Sequence, residues 1–200
     1  MMNLGVLISG RGSNLQAIID AAERGEINSR VSVVISNDPE AFGLERAKKH
    51  GIPAVVIDNR KFADKNTYEL EIVKGLQQHK VDLVCLAGYM RIVGEVLLGH
   101  FAGRMINIHP SLLPSFPGLH AQKQALEHGV LITGCTVHYV DAGCDTGPII
   151  VQSAVPVKEK DTEETLSERI LQQEHLIYPQ AIQLIAEDKL MIEGRRVKLK

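Results

Sequence analysis

The sequence predicts an α/β protein with a doubly wound, mostly parallel sheet and helices on both faces. Three observations carry that prediction. Short apolar runs alternate with amphipathic stretches through the first hundred residues, and this rhythm implies parallel strands joined by right-handed helical crossovers. Runs such as 31–35 are β-branched, as in a buried strand. The 200-residue length suits one domain with a sizeable core.

In chain order, residues 3–8 form the first short strand. Residues 13–23 are helical, with Leu15, Ile18, Ile19 and Ala22 on one face and Gly25 as the stop. Strand 31–35, helix 42–49 and strand 54–57 follow. Residues 66–79 make a longer helix with Leu70, Val73 and Leu76 inward. Strands 83–86 and 105–108 flank a helix at 95–101. Pro110, Pro114, Pro117 and Gly118 then break the chain into a loop. A helix at 122–127 precedes strands 133–140 and 148–157, joined by loop 141–147. Asp161 opens a long helix, with Glu164 three residues on as in a capping box. A short hairpin at 189–198 ends the chain.

Composition narrows the function. The chain is 44% hydrophobic and 23% charged, with a net charge of -2, as in an ordinary globule. Without a basic stripe it is a poor partner for nucleic acid or an anionic membrane. No run is apolar for the length of a membrane span, and the first residues lack the basic start of a signal peptide. Cys85, Cys135 and Cys144 are few, odd in number and widely spaced. That fits a reducing cytoplasm rather than a disulfide framework or a structural zinc site. His120, His128 and His138 lack metal-ligand spacing, so no metal is expected.

Four features could carry chemistry. Gly10-Arg11-Gly12-Ser13-Asn14 joins the first strand to the first helix. Glycines and free helix-start N–H groups suit a phosphate; the alternative is a tight turn with Ser13 or Asn14 as N-cap. Leu15 replaces the third glycine of a dinucleotide fingerprint, which argues against a nicotinamide enzyme using Asp38. Strand alternation puts Met105, Asn107 and His109 on one face near a carboxyl end, where an amide and an imidazole can hold an oxyanion. A polar strand end facing solvent is the alternative there. In loop 141–147, Asp145 near His109 would favour imidazolium and raise its pKa, although Asp and Gly also suit a plain turn. Glu174 lies on or beside the apolar face of the last long helix, where a carboxylate needs a partner. It could accept from sugar hydroxyls or sit in a partly buried ion pair.

Together these stretches resemble one family, the phosphoribosylglycinamide formyltransferases (glycinamide ribonucleotide transformylases). The matching runs are Ile8 through Leu15, Leu86-Ala87-Gly88-Tyr89-Met90-Arg91, Asn107 through Pro114, His138 through Asp141, Asp145 through Ile149, and Gln173-Glu174-His175. They occur in family order over most of the chain. The resemblance implies a Rossmann-like formyltransferase fold over residues 1–200, with a phosphate-binding half at 1–100 and a catalytic and folate-binding half at 101–200. It implies a cytoplasmic enzyme of de novo purine biosynthesis and one-carbon metabolism. Its substrates would be glycinamide ribonucleotide and 10-formyltetrahydrofolate, with no metal, and a homodimer is one expectation.

By the same resemblance Asn107, His109 and Asp145 are the catalytic trio. Gly12, Ser13 and Asn14 hold the substrate phosphate, and Glu174 holds the ribose. Met90, Arg91, Ile92, Val93, Asn107, Val140 and Asp141 face the folate, with Lys65 near its tail, and the Leu113-Pro114 bond would be cis. The mechanism it implies uses protonated His109. Two relatives share parts of the pattern. Methionyl-tRNA formyltransferase carries an added RNA-binding domain, and formyltetrahydrofolate deformylase an added N-terminal one. The chain length and the Gly12-Ser13-Asn14 loop favour the ribonucleotide enzyme.

Overall fold

Nine strands form one sheet in a computed structural model that describes residues 1–200. The first half alternates as the pattern requires: β1 (Met2–Ile8), α1 (Ser13–Glu23), β2 (Ser29–Ser36), α2 (Phe42–Lys49) and β3 (Ala54–Val56). After one 3-10 turn (Asn59–Lys61) come α3 (Lys65–Gln78), β4 (Leu83–Leu86), α4 (Glu95–His100) and β5 (Met105–His109). The second half adds α5 (Ala121–Glu127), β6 (Ile132–Tyr139), β7 (Ile149–Pro156), α6 (Glu163–Ala186) and the hairpin β8 (Leu190–Glu193) and β9 (Arg196–Leu199).

The strand order is β3-β2-β1-β4-β5-β6-β7-β9-β8. β3 through β5 are parallel, whereas β6 runs antiparallel to both β5 and β7. The hairpin joins β7 through a single pair, Ile149 with Arg196. The order reverses between β1 and β4, and ligands of open α/β sheets bind outside the strand carboxyl ends at such a switch point. No helix is long and apolar enough to cross a membrane.

Two apolar layers sandwich the sheet. One contains Leu15, Ile18, Ile19, Ile106, Ile108, Ile177 and Tyr178, from α1, β5 and α6. The other contains Tyr68, Ile72, Val73, Leu76, Leu97 and Met105, from α3, α4 and β5. Alternation along β5 therefore sends Ile106 and Ile108 to one layer and Met105 to the other, with Asn107 and His109 beyond Met105 on its face.

Local details depart from the sequence reading at two helices. Leu70 is not inward but 42% exposed, and Tyr68, Glu69 and Ile72 join Val73 and Leu76 on the buried face of α3. The long helix begins one residue later than expected. Thr162 is its N-cap, and Thr165 replaces Glu164 as the partner in the capping box. Asp161 instead pairs both oxygens with the Arg169 guanidinium, each at 2.7 Å, and these bonds outweigh desolvation to push its carboxyl far down. A fork-shaped guanidinium offers a carboxylate two bonds where a helix start offers one.

Candidate active site

Three loops leave the carboxyl ends of β1, β4 and β5. The first, after β1, is built on glycine. Gly12 has φ 67, a left-handed conformation that favours glycine. A Cβ there would come 2.7 Å from the Cα of Gly43, so the loop also lies against the start of α2. Gly12, not Ser13 or Asn14, is the N-cap of α1, and no side chain caps the helix. The first-turn N–H groups of Ser13 and Asn14 thus have no side-chain partner within the protein, the condition for receiving an anion.

Asn14 turns inward instead. Its Nδ2 donates to Glu174 Oε2 at 2.7 Å, across 160 residues of chain. Glu174 is only 7% exposed. Burial raises its pKa, and the Asn14 bond opposes that rise. Its carboxylate also helps burial hold the Cys135 thiol up at about 12. The Oδ1 of Asn14 and the Nε2 of His175 have no protein partner. Buried polar atoms around one carboxylate suit a hydroxyl-rich ligand.

The end of β5 carries the second cluster. Antiparallel register sets Asn107 opposite His138 and His109 opposite Thr136. Loop 141–147 brings Asp145 to them. Asp145 Oδ2 lies 3.3 Å from His109 Nδ1 and accepts the Gly118 N–H at 2.8 Å. Its Oδ1 faces Asn107 Nδ2 at 3.4 Å and His138 Nε2 at 3.6 Å. Burial would raise this carboxyl. The His138 bond, the Gly118 N–H and the charges of His109 and His138 outweigh burial and bring it to about 2. Asp145 itself adopts a left-handed φ of 55, which Asp and Asn tolerate better than most residues.

His109 departs from the expectation of a raised pKa. Asp145 and the Phe116 carbonyl do push it up, but burial pushes harder in the other direction, with help from His138, and the net shift is down. The ring is therefore largely neutral at pH 7 rather than imidazolium. Its Nε2 lies 2.9 Å from the Phe116 carbonyl and its Nδ1 3.3 Å from Asp145 Oδ2, so an acceptor faces each ring nitrogen. His138 Nδ1 faces the Tyr139 carbonyl at 2.8 Å, and its Nε2 faces both Asn107 Nδ2 at 3.2 Å and Asp145 Oδ1 at 3.6 Å.

The third group follows β4. Met90 and Ile92 are 68% and 71% exposed, so neither is a core residue. The Met90 N–H donates to Ser9 Oγ at 2.9 Å, tying this segment to the end of β1. The Arg91 guanidinium lies over the Tyr68 ring, and Val93 packs on the second apolar layer. Val140 packs on the same layer and donates its N–H to the Met105 carbonyl at 2.9 Å. Asp141 closes its own loop, accepting from the Gly143 N–H and Thr146 Oγ1. Lys65 lies in the first turn of α3, its Nζ 4.0 Å from Glu69 Oε1. The Leu113-Pro114 bond is cis.

Sequence reasoning missed His138, the Phe116 carbonyl and the Gly118 N–H as members of the cluster. Strand alternation puts His138 on one face of β6, but only the register against β5 shows that this face meets Asn107. The two backbone groups have no side-chain signature.

Comparisons with known proteins place the chain among formyl transferases. Residues 2–182 match the formyl transferase family. The chain is 46% identical over 189 residues to phosphoribosylglycinamide formyltransferase of Escherichia coli K12, covering 94% of this chain and 89% of that protein. It is 52% identical over 187 residues to the trifunctional purine biosynthetic protein adenosine-3 of Drosophila pseudoobscura; the match covers 92% of this chain but only 14% of that longer protein. The crystal structure of glycinamide ribonucleotide transformylase 1 from Symbiobacterium toebii superposes with a TM-score of 0.99 at 56% identity, covering 100% of this chain and 94% of that one. The loops at the switch point, an amide–imidazole–carboxylate cluster and a family match over nearly the whole chain agree: this protein belongs to the formyl transferase family.

Proposed function

We propose that this chain transfers the formyl group of 10-formyltetrahydrofolate to the amine of 5'-phosphoribosylglycinamide, a step of purine biosynthesis. The observation that carries the reading is the cluster at the end of β5, where Asn107, His109, His138 and Asp145 meet within hydrogen-bond and ion-pair distances. The uncapped start of α1 supports a phosphate at Gly12, Ser13 and Asn14, and the buried Glu174 supports a ribose. Met90, Arg91, Ile92, Val93, Val140 and Asp141 form the folate wall, with Lys65 at its outer end.

The two substrates meet beside β5. The amine nitrogen attacks the formyl carbon, and its carbonyl oxygen becomes an oxyanion. Neutral His109, as the tautomer protonated on Nε2, donates that N–H to the oxygen, which takes the place of the Phe116 carbonyl. The Asn107 amide gives the second hydrogen bond, releasing its longest contact, the 3.4 Å one to Asp145. The negative charge raises the His109 pKa, and Asp145 beside Nδ1 stabilises any proton the ring takes up. The intermediate collapses by breaking the bond between the formyl carbon and folate N10. The proton lost by the amine ends on N10, by way of His109 or an ordered water. Holding two substrates in one geometry supplies much of the rate.

The test is formyl transfer by the purified protein with both substrates, following free folate and formylated product separately, for wild type and His109→Ala. Product that forms with wild type and falls at least a hundredfold, about one lost oxyanion donor, in the variant is the expected result. Folate released without formylated product would replace this reading with a deformylase. Binding without turnover would reduce the chain to a ligand-binding module.

A further inference from the structure

Glu69 is a carboxylate inside the fold, 2% exposed on the apolar face of α3. Burying an ionised group among apolar side chains is costly unless its oxygens are satisfied. Both are. Oε1 accepts the Gly94 N–H at 2.5 Å and Oε2 accepts the Leu97 N–H at 3.1 Å. Gly94 is the N-cap of α4 and has no side chain to cap with, so α3 caps α4 from outside. The fit is close: a Cβ on Gly94 would lie 2.8 Å from either Glu69 oxygen.

The same turn of α3 holds the other end of the segment. Tyr68 Oη lies 2.7 Å from Tyr89 Oη, and the Tyr68 ring sits under the Arg91 guanidinium at 5.8 Å. Tyr89 and Gly94 are thus fixed while Met90 and Ile92 between them face solvent. Apolar side chains kept out of the core on a stretch pinned at both ends form a pre-shaped wall, and preorganisation of this kind raises affinity by lowering the cost of ordering on binding.

We propose that Glu69 is a positioning residue for folate recognition. It fixes the amino end of α4 and so sets residues 90–93, with Tyr68 as the second anchor. The proposal rests on reading residues 90–93 as the folate wall. Glu69→Gln keeps size and one acceptor oxygen but turns an amide N–H toward a backbone N–H.

The experiment measures KM and kcat for both substrates, with calorimetric Kd values for tetrahydrofolate and glycinamide ribonucleotide, in wild type, Glu69→Gln and Tyr68→Phe. For Glu69→Gln the expected result is a rise of about tenfold in folate KM and Kd, the equivalent of one lost charge-assisted hydrogen bond. The ribonucleotide constants and kcat at saturating folate should stay within about twofold. Tyr68→Phe, which keeps the ring packing, should shift the same folate constants by about threefold. Should Glu69→Gln fail to fold, the folate constants of Tyr68→Phe decide. Unchanged folate constants, or equal losses for both substrates, overturn the positioning role. A wild-type chain that transfers no formyl group would instead overturn the reaction reading beneath it.

Discussion

At the scale of single residues, the site depends on which groups carry protons. Asp145 is held at about 2 against an ordinary 3.8. Its ionised form is favoured in the folded state, so the stabilisation is complete above pH 3.8 and is lost as the pH falls to about 2. That shift corresponds to about 2 kcal/mol. Asp145→Asn suits the left-handed backbone and removes only the charge. We predict that the variant loses less stability than wild type on acidification over this range, measured by urea unfolding at several pH values. Because the Asp145 charge raises the His109 pKa, the same variant should titrate His109 at lower pH in NMR. An unchanged titration would separate the two residues. Asn107→Ala should lower turnover at least about a hundredfold, and near-normal turnover would remove the amide from the oxyanion. With neutral His109 as donor, the wild-type rate should hold as the pH rises past 6.5, the ring's ordinary value. A rate that falls through a pKa below that value would restore an imidazolium requirement.

At the scale of elements, the strands and helices were legible because each has its own period. The β-branched run in β2, the apolar spacing of α1 and the proline-rich break after β5 need no tertiary information. The misplaced details needed it. Leu70 fits a helical stripe as well as Ile72 does, and only the docking direction of α3 on the sheet separates them. Glu69 could not be recognised as a cap, because the N–H groups that it binds belong to another helix. Its neighbour in purpose is Tyr178 on α6. It is fully buried, and its Oη donates to the Leu86 carbonyl at 2.8 Å and approaches the Ile106 carbonyl at 3.3 Å. This hydroxyl ties α6 to the carboxyl end of β4 and to β5 at the residue before Asn107. Tyr178→Phe leaves buried carbonyls short of a donor and should cost about 1–3 kcal/mol. Thermal unfolding checks the loss, and a variant as stable as wild type would show that the strand carbonyls find another donor.

At the scale of the whole molecule, the sheet changes character midway. The parallel half supplies loops at the switch point, and β6, running the other way, sets His138 beside Asn107 and returns Asp145 through its loop. The positions of the trio could be read in the sequence through its motif. The meeting of Asp145 with His109 could not, because His109 ends β5 while Asp145 lies in the loop after β6, and their distance follows from the pairing register of those strands. The terminal hairpin contributes less. It joins β7 by one residue pair, and one side-chain bond, from Arg195 to the Thr146 carbonyl, reaches loop 141–147.

The bond between Asn14 and Glu174 has a consequence for biosynthesis. Translation is directional, so the side of the site that carries Asn14 is made 160 residues before the side that carries Glu174. A nascent chain released before α6 would carry the glycine loop, all five parallel strands and the trio, yet leave Asn14 without its carboxylate and α1 without the helix that shares its apolar layer. The site is therefore completed only once α6 has been made.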